Sequence, residues 1–218
     1  MIILLAKIMP LAIGAMISPV MLTITLLVLS GKNFPKPRAF AFLIGAVLAL
    51  LMMSIIGYEF GQSHQLSGGD NTSSTSATID IVLGLLLIFT GIFSYFKKEE
   101  QSVPVKKNDD KPNYFRWIIV GFALNIFNDS MLFVLAASKE IGSAGVVYLD
   151  KIILILIVSI FELLPIIFPL GLYLIFQEKA KKILTPINTF VGKYSKVIGL
   201  VIFLLFGAYV LYRGIKYF

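Results

Sequence analysis

Apolar residues in this chain come in long runs separated by short polar stretches. Ile8–Gly31 has no charge over 24 residues, and Ala39–Tyr58 has none over 20. Ile81–Phe96 and Val197–Tyr212 are free of charge over 16 residues each. Trp117–Ser138 and Ile152–Gln177 each enclose a single acid. A helix crosses the hydrocarbon of a bilayer in about 20 residues, because that layer is about 30 Å thick. The pattern predicts an all-α polytopic membrane protein with six transmembrane helices. The spans fall near 8–31, 39–60, 79–97, 117–138, 152–177 and 195–216, in a single domain covering 1–218. Lys196, Arg213 and Lys216 can snorkel at the ends of the shorter runs.

Composition agrees. Hydrophobic residues make up 58 % and charged residues 14 %, against about 25 % charged in a soluble chain. Mean hydropathy is +0.91. A soluble helical fold is disfavoured, since buried soluble helices rarely run this long without a charge. A cleaved signal peptide is disfavoured too, because the first run is too long for a signal core and lacks a small-x-small site.

Basic residues set the expected orientation. Fourteen of the 19 lysines and arginines lie on one side, between spans one and two, three and four, and five and six. The other five are Lys7, Lys139, Lys151, Arg213 and Lys216. The positive-inside rule puts the fourteen in the cytoplasm of a multi-pass cell-membrane protein, with both termini outside. The net charge of +7 then faces anionic headgroups of the membrane lipids and needs no nucleic acid.

Residues 61–78 and 97–115 read as flexible polar loops. The first holds the lone His64 and an Asn71-Thr72-Ser73 glycosylation triplet on the expected outer side. Cysteine is absent, which removes disulfides and thiolate metal sites. No phosphate loop, metal-ligand cluster or nucleophile–base pair is visible, so no catalytic residue, metal or enzyme activity is expected.

Three places hold polar groups where hydrocarbon should be. Asn125-Ile126-Phe127-Asn128-Asp129-Ser130 packs four polar residues into six positions. Asp129 costs at least about 2.5–3.5 kcal/mol at mid-membrane, so it should face protein or a wet cavity. Asn125 and Asp129, four apart, would share a helix face. Asn128 between them marks local unwinding or a broken helix. Glu162 lies at similar depth, and Pro165 cannot bond the Phe161 carbonyl beside it. Ser18-Pro19 interrupts span one, next to the small face of Gly14 and Ala15. These residues are either hydrogen-bonding glue between helices or contacts for a substrate or a coupling proton.

Gly14–Lys32 and Gly121–Lys139 can be laid side by side, each opening on glycine and closing on lysine. Three spans separate them, so they cross in opposite directions, as in a 3+3 inverted repeat with broken helices 1 and 4. Further marks are Leu29-Ser30-Gly31-Lys32, Arg38-Ala39-Phe40, Gly45, Leu124-Asn125, and Pro169-Leu170-Gly171-Leu172-Tyr173 running into Glu178-Lys179-Ala180. With Ser18-Pro19 and Asn128, they make the chain resemble the LysE superfamily of six-helix exporters, most closely the GAP (Sap, sulfolipid-1-addressing) proteins. The resemblance implies an inverted repeat, no cofactor, and export of amino acids or ions or movement of glycolipids. The chain departs from LysE-type exporters at Val20-Met21, where they have a second proline. It departs again at Asn128-Asp129-Ser130, where they have Asn-Pro-Lys. An acid replaces a cationic contact, so substrate type does not carry over.

The expected function is a membrane transporter for a small-molecule or lipid-linked substrate. Ser18, Pro19, Asn125, Asn128, Asp129 and Glu162 are the candidate substrate- or ion-binding residues. Small-residue helix faces allow a homodimer. The competing expectation is a non-transporting scaffold that binds a partner through its basic loops. If the orientation is right, a reporter active only in the cytoplasm stays dark when fused after Phe218, and a reporter active only outside lights up.

Overall fold

A computed structural model describes residues 2–30, 34–66, 71–96, 113–176 and 178–216. Every element among them is a helix. In chain order these are α1 (Ile2–Met16), α2 (Pro19–Leu29), α3 (Pro35–Leu66) and α4 (Asn71–Phe96). They continue with α5 (Tyr114–Ile126), α6 (Met131–Ser143), α7 (Tyr148–Phe176) and α8 (Glu178–Lys216). The helices α3, α4, α7 and α8 are each long and apolar enough to cross a membrane. The pairs α1–α2 and α5–α6 qualify as bent units, with bends of 49° and 72°. The count of membrane-crossing units is therefore four, or six if each bent pair crosses once.

The two bends have different local causes. Pro19 occupies the first position of α2, where its missing N–H costs nothing. A residue before proline is pushed out of the helical region. Ser18 accordingly is extended, with φ −124° and ψ 91°, and its Oγ accepts from the Met21 N–H at 3.3 Å. The second break holds no proline. There α5 ends at Ile126 with Phe127 as its cap, and bonds from Asn128 N to Asn125 O and from Met131 N to Asn128 O tighten the chain at 3.0 Å each. Asn, Asp and Ser side chains compete with helical bonding, which suits them to such a turn.

Contacts at one end show how the rods alternate. Lys139 of α6 and Arg213 of α8 both reach Asp80 near the start of α4. Lys151 near the start of α7 lies over the Tyr58 ring of α3 at 5.4 Å. Lys7 of α1 lines the same cleft as Asp80 and Arg213. Successive units therefore run up and down. Helix α3 packs along both α5 and α6, α7 packs along both α1 and α2, and α4 packs against α8.

Close backbone approach holds the tightest pairs. A Cβ on Gly45 of α3 would overlap the Ile118 carbonyl of α5, and one on Gly121 would overlap the Phe42 carbonyl. Gly84 and Gly207 do the same for α4 and α8. Small residues at such contacts are the usual route to tight packing when lipid supplies no hydrophobic drive between helices. Large apolar side chains such as Phe89, Phe93, Ile175 and Leu205 remain on the outer surface. That arrangement suits a lipid surrounding.

Helix runs further than the sequence pattern suggested. Most of the stretch expected as a flexible loop at 61–78 is helical, since α3 reaches Leu66 and α4 starts at Asn71. His64 therefore has helical backbone, and residues 67–70 lie outside the described residues. Of the second expected loop, 97–112 lies outside the described residues. The basic stretch 178–196 is not a loop but the first half of α8. This helix of 39 residues is about 58 Å long at 1.5 Å per residue. Ala180, Ile183, Leu184, Phe190 and Tyr194 extend the apolar spacing of the span, so nothing ends the helix at the membrane boundary.

Gly45→Ala should destabilise the protein by about 1–3 kcal/mol, because the added methyl has no room. Gly171→Ala, with nothing within 4 Å, should be neutral or stabilising by up to about 1 kcal/mol. Thermal unfolding of both variants in detergent checks this contrast.

Candidate functional site

The two broken units meet at their breaks. The Asn128 Nδ2 donates to Ser18 Oγ at 2.9 Å and to Ser130 Oγ at 2.7 Å. The Ser18 hydroxyl faces Asn128 Oδ1 at 3.2 Å. Ser18 and Ser130 are buried, and Asn128 is half-buried. Just behind the break, Gly14 lets α1 pack against the Phe133 ring of α6. The Ser-Pro break and the Asn-Asp-Ser break thus satisfy each other across 110 residues of sequence. Thr25 on α2 is also buried, and its hydroxyl bonds back to the Met21 carbonyl at 2.7 Å.

Asn125, the next-to-last residue of α5, stands directly before the second break and is fully buried. Its Nδ2 donates to the Ala46 carbonyl in the middle of α3 at 3.1 Å, and its Oδ1 has no hydrogen-bond partner. Glu162, halfway along α7, is 2 % exposed. Neither of its carboxyl oxygens has a hydrogen-bond partner among the described residues. The Asn125 side chain lies beside the carboxyl but does not reach hydrogen-bond geometry. Helix α7 continues unbroken through Pro165 and Pro169.

Ser18, Asn125, Asn128 and Glu162 are therefore buried or half-buried polar groups at or beside the two breaks. The backbone of Pro19 opens α2 at the same place. Asp129 differs from expectation. It does not share a helix face with Asn125, because the helix ends at Ile126 and Asp129 sits in the turn between α5 and α6. The turn leaves Asp129 half-buried. Asn125, read as its companion, is the fully buried one.

Nothing in the chain's apolar pattern singled out a second polar cluster. At the end where Lys7 lies, Asp80 takes ion pairs from Lys139 and from Arg213, the latter at 2.8 Å. Arg213 also bridges to Glu140, and its Nε donates to Asp80 at 3.0 Å. Nearby, the Lys151 ammonium donates to the Gly142 carbonyl at 2.8 Å. Lys139 is 2 % exposed and Lys151 6 %. Between Lys7, Tyr209 and these groups is a cleft of about 10 Å³, room for about one water. The signal was present in Asp80, at the start of span three. The basic partners read as snorkelling flanks, since a sequence does not say which way they turn.

Residues 8–216 match the family described as Sap, sulfolipid-1-addressing protein. The chain belongs to the Sap family. It is a membrane protein of that family, built of apolar helices. No curated protein and no solved structure matches it. Within this Sap-family chain, no group of three His, Cys, Asp or Glu side chains able to hold a metal occurs among the described residues. The breaks and Glu162 can offer hydrogen bonds and one carboxyl to a ligand.

Asp80→Asn strands the Lys139 ammonium without its carboxylate, and breaking a buried pair this way should cost about 3–5 kcal/mol. Adding Lys139→Met should recover much of that loss. Denaturant unfolding of the single and double variants in micelles measures the coupling.

Proposed function

We propose that this chain is a six-span transporter of the cell membrane, working by alternating access of two inverted halves. In this reading α1–α2, α3 and α4 form one half, and α5–α6, α7 and α8 form the other. The packing pattern supports the symmetry. Helix α3 follows the broken unit of the second half, α7 follows that of the first, and α4 meets its counterpart α8. The observation that carries the proposal is the Ser18–Asn128 contact, which joins break to break. Discontinuous helices crossing at a repeat interface are how such transporters build a substrate site.

The site residues take distinct roles. The backbone at Ser18-Pro19 and the turn Asn128-Asp129-Ser130 offer groups to the cargo. Glu162, with Asn125 beside it, is the acid that binds or couples. The ion cluster of Asp80, Lys139, Glu140 and Arg213 closes one end of the pathway, and this end faces outward if the basic-residue asymmetry is read as above. The family description names a sulfolipid, which favours lipid-linked cargo over a free small solute. The chemistry proposed is transport rather than catalysis.

Flux in proteoliposomes, with a panel of amino acids, cations and labelled lipids, tests the proposal. Ser18→Ala and Asn128→Ala should each slow transport about tenfold, the scale of one lost hydrogen bond of about 1.4 kcal/mol. Deleting residues 99–111 should leave flux intact. A chain that moves none of the panel, yet loses a bound partner on that deletion, would be a scaffold instead.

A further inference from the structure

The neighbourhood of Glu162 is rich in acceptors and poor in donors. Both carboxyl oxygens of Glu162 and the Oδ1 of Asn125 are buried without a hydrogen-bond partner among the described residues. The Asn125 Nδ2 gives one of its two N–H groups to the Ala46 carbonyl, and it does not reach a Glu162 oxygen in hydrogen-bond geometry. Pro165 has no N–H to give the Phe161 carbonyl, so the turn of α7 that carries Glu162 adds another acceptor. Helices α1, α2, α3, α6 and α8 all pack on α7. Among the described residues on them and on α5, no charged side chain acts on Glu162; the side chain that bears on it is Asn125's. The buried cations of the bundle are spent elsewhere, Lys139 on Asp80 and Lys151 on the Gly142 carbonyl.

Acceptors gathered without a donor reject anions and neutral acceptors. They are satisfied by a species that brings positive charge. One carboxylate balances one unit of charge. A divalent ion would call for more oxygen ligands and more negative charge than this place holds. The contrast with the outer cluster is informative. There Asp80 and Glu140 have fixed partners from the protein. At Glu162 the described residues supply no hydrogen-bond partner, and an unpaired charge at mid-membrane is costly enough to mark a functional group.

We propose that Glu162 and Asn125 Oδ1 form a binding site for one monovalent cation, the proton included. Its coupling role rests on the transporter reading, but binding itself does not. A carbodiimide that modifies protonated carboxyls in apolar surroundings tests it on the full chain in proteoliposomes, with Glu162 followed by peptide mass spectrometry. Glu162→Gln identifies the labelled peptide by losing it. A proton site loses labelling about tenfold per pH unit above its midpoint. A sodium site loses it at fixed pH, about tenfold at ten times Kd, with sodium chloride but not with choline chloride. Either result supports the inference. Labelling that is absent throughout, or constant across both series, overturns it. If labelling responds while no cargo moves, the cation site stands and the transporter reading falls.

Discussion

Hydrocarbon offers no hydrogen-bond partner, and that constraint governs everything else in this bundle. A chain in lipid must satisfy its backbone within its own helices. A break is tolerable only where other protein groups replace the lost bonds. Here the two breaks are placed against each other. Ser18 caps α2 and also meets Asn128, while Asn128 reaches Ser130 at the start of α6. Each interruption supplies the polar surroundings that the other needs. Moving either one along its span would leave both exposed to an apolar solvent.

The same constraint sorts the charges into two kinds. Near one end, acids and bases pair in a cluster that ties α4 to α6 and α8. Halfway along α7, Glu162 has no such partner. Buried ion pairs are weak evidence for net stability but strong constraints on geometry, because breaking one leaves a charge stranded. The cluster therefore fixes how the helices meet at that end. Glu162 is left as a buried carboxyl with no hydrogen-bond partner among the described residues.

Rigidity around the breaks comes from close helix packing. Gly45 and Gly121 bring α3 and α5 to backbone contact, and Gly84 and Gly207 do so for α4 and α8. The irregular backbone at residues 17–18 and 127–130 is where direction changes.

Much of this was legible in the sequence, because the solvent acts on single residues. Runs without charge announce helices in lipid whatever their neighbours are. Pro19 after Ser18 dictates a break on local steric grounds alone, and Asn-Asp-Ser dictates another through local hydrogen bonding. Family membership was equally readable from short marks spread along nearly the whole chain. Direction of side chains and partnership across the bundle were not, since they depend on which helix faces which. Asp129 and Asn125, four apart, looked like companions on one face, but the break that the same residues create turns Asp129 into the loop between α5 and α6. Asp80, Lys139 and Arg213 looked like separate flanking charges because 59 and 133 residues separate Asp80 from its partners. Only packing in three dimensions made them one cluster, and only packing left Glu162 alone, because pairing is a property of distance in space and not of order along the chain.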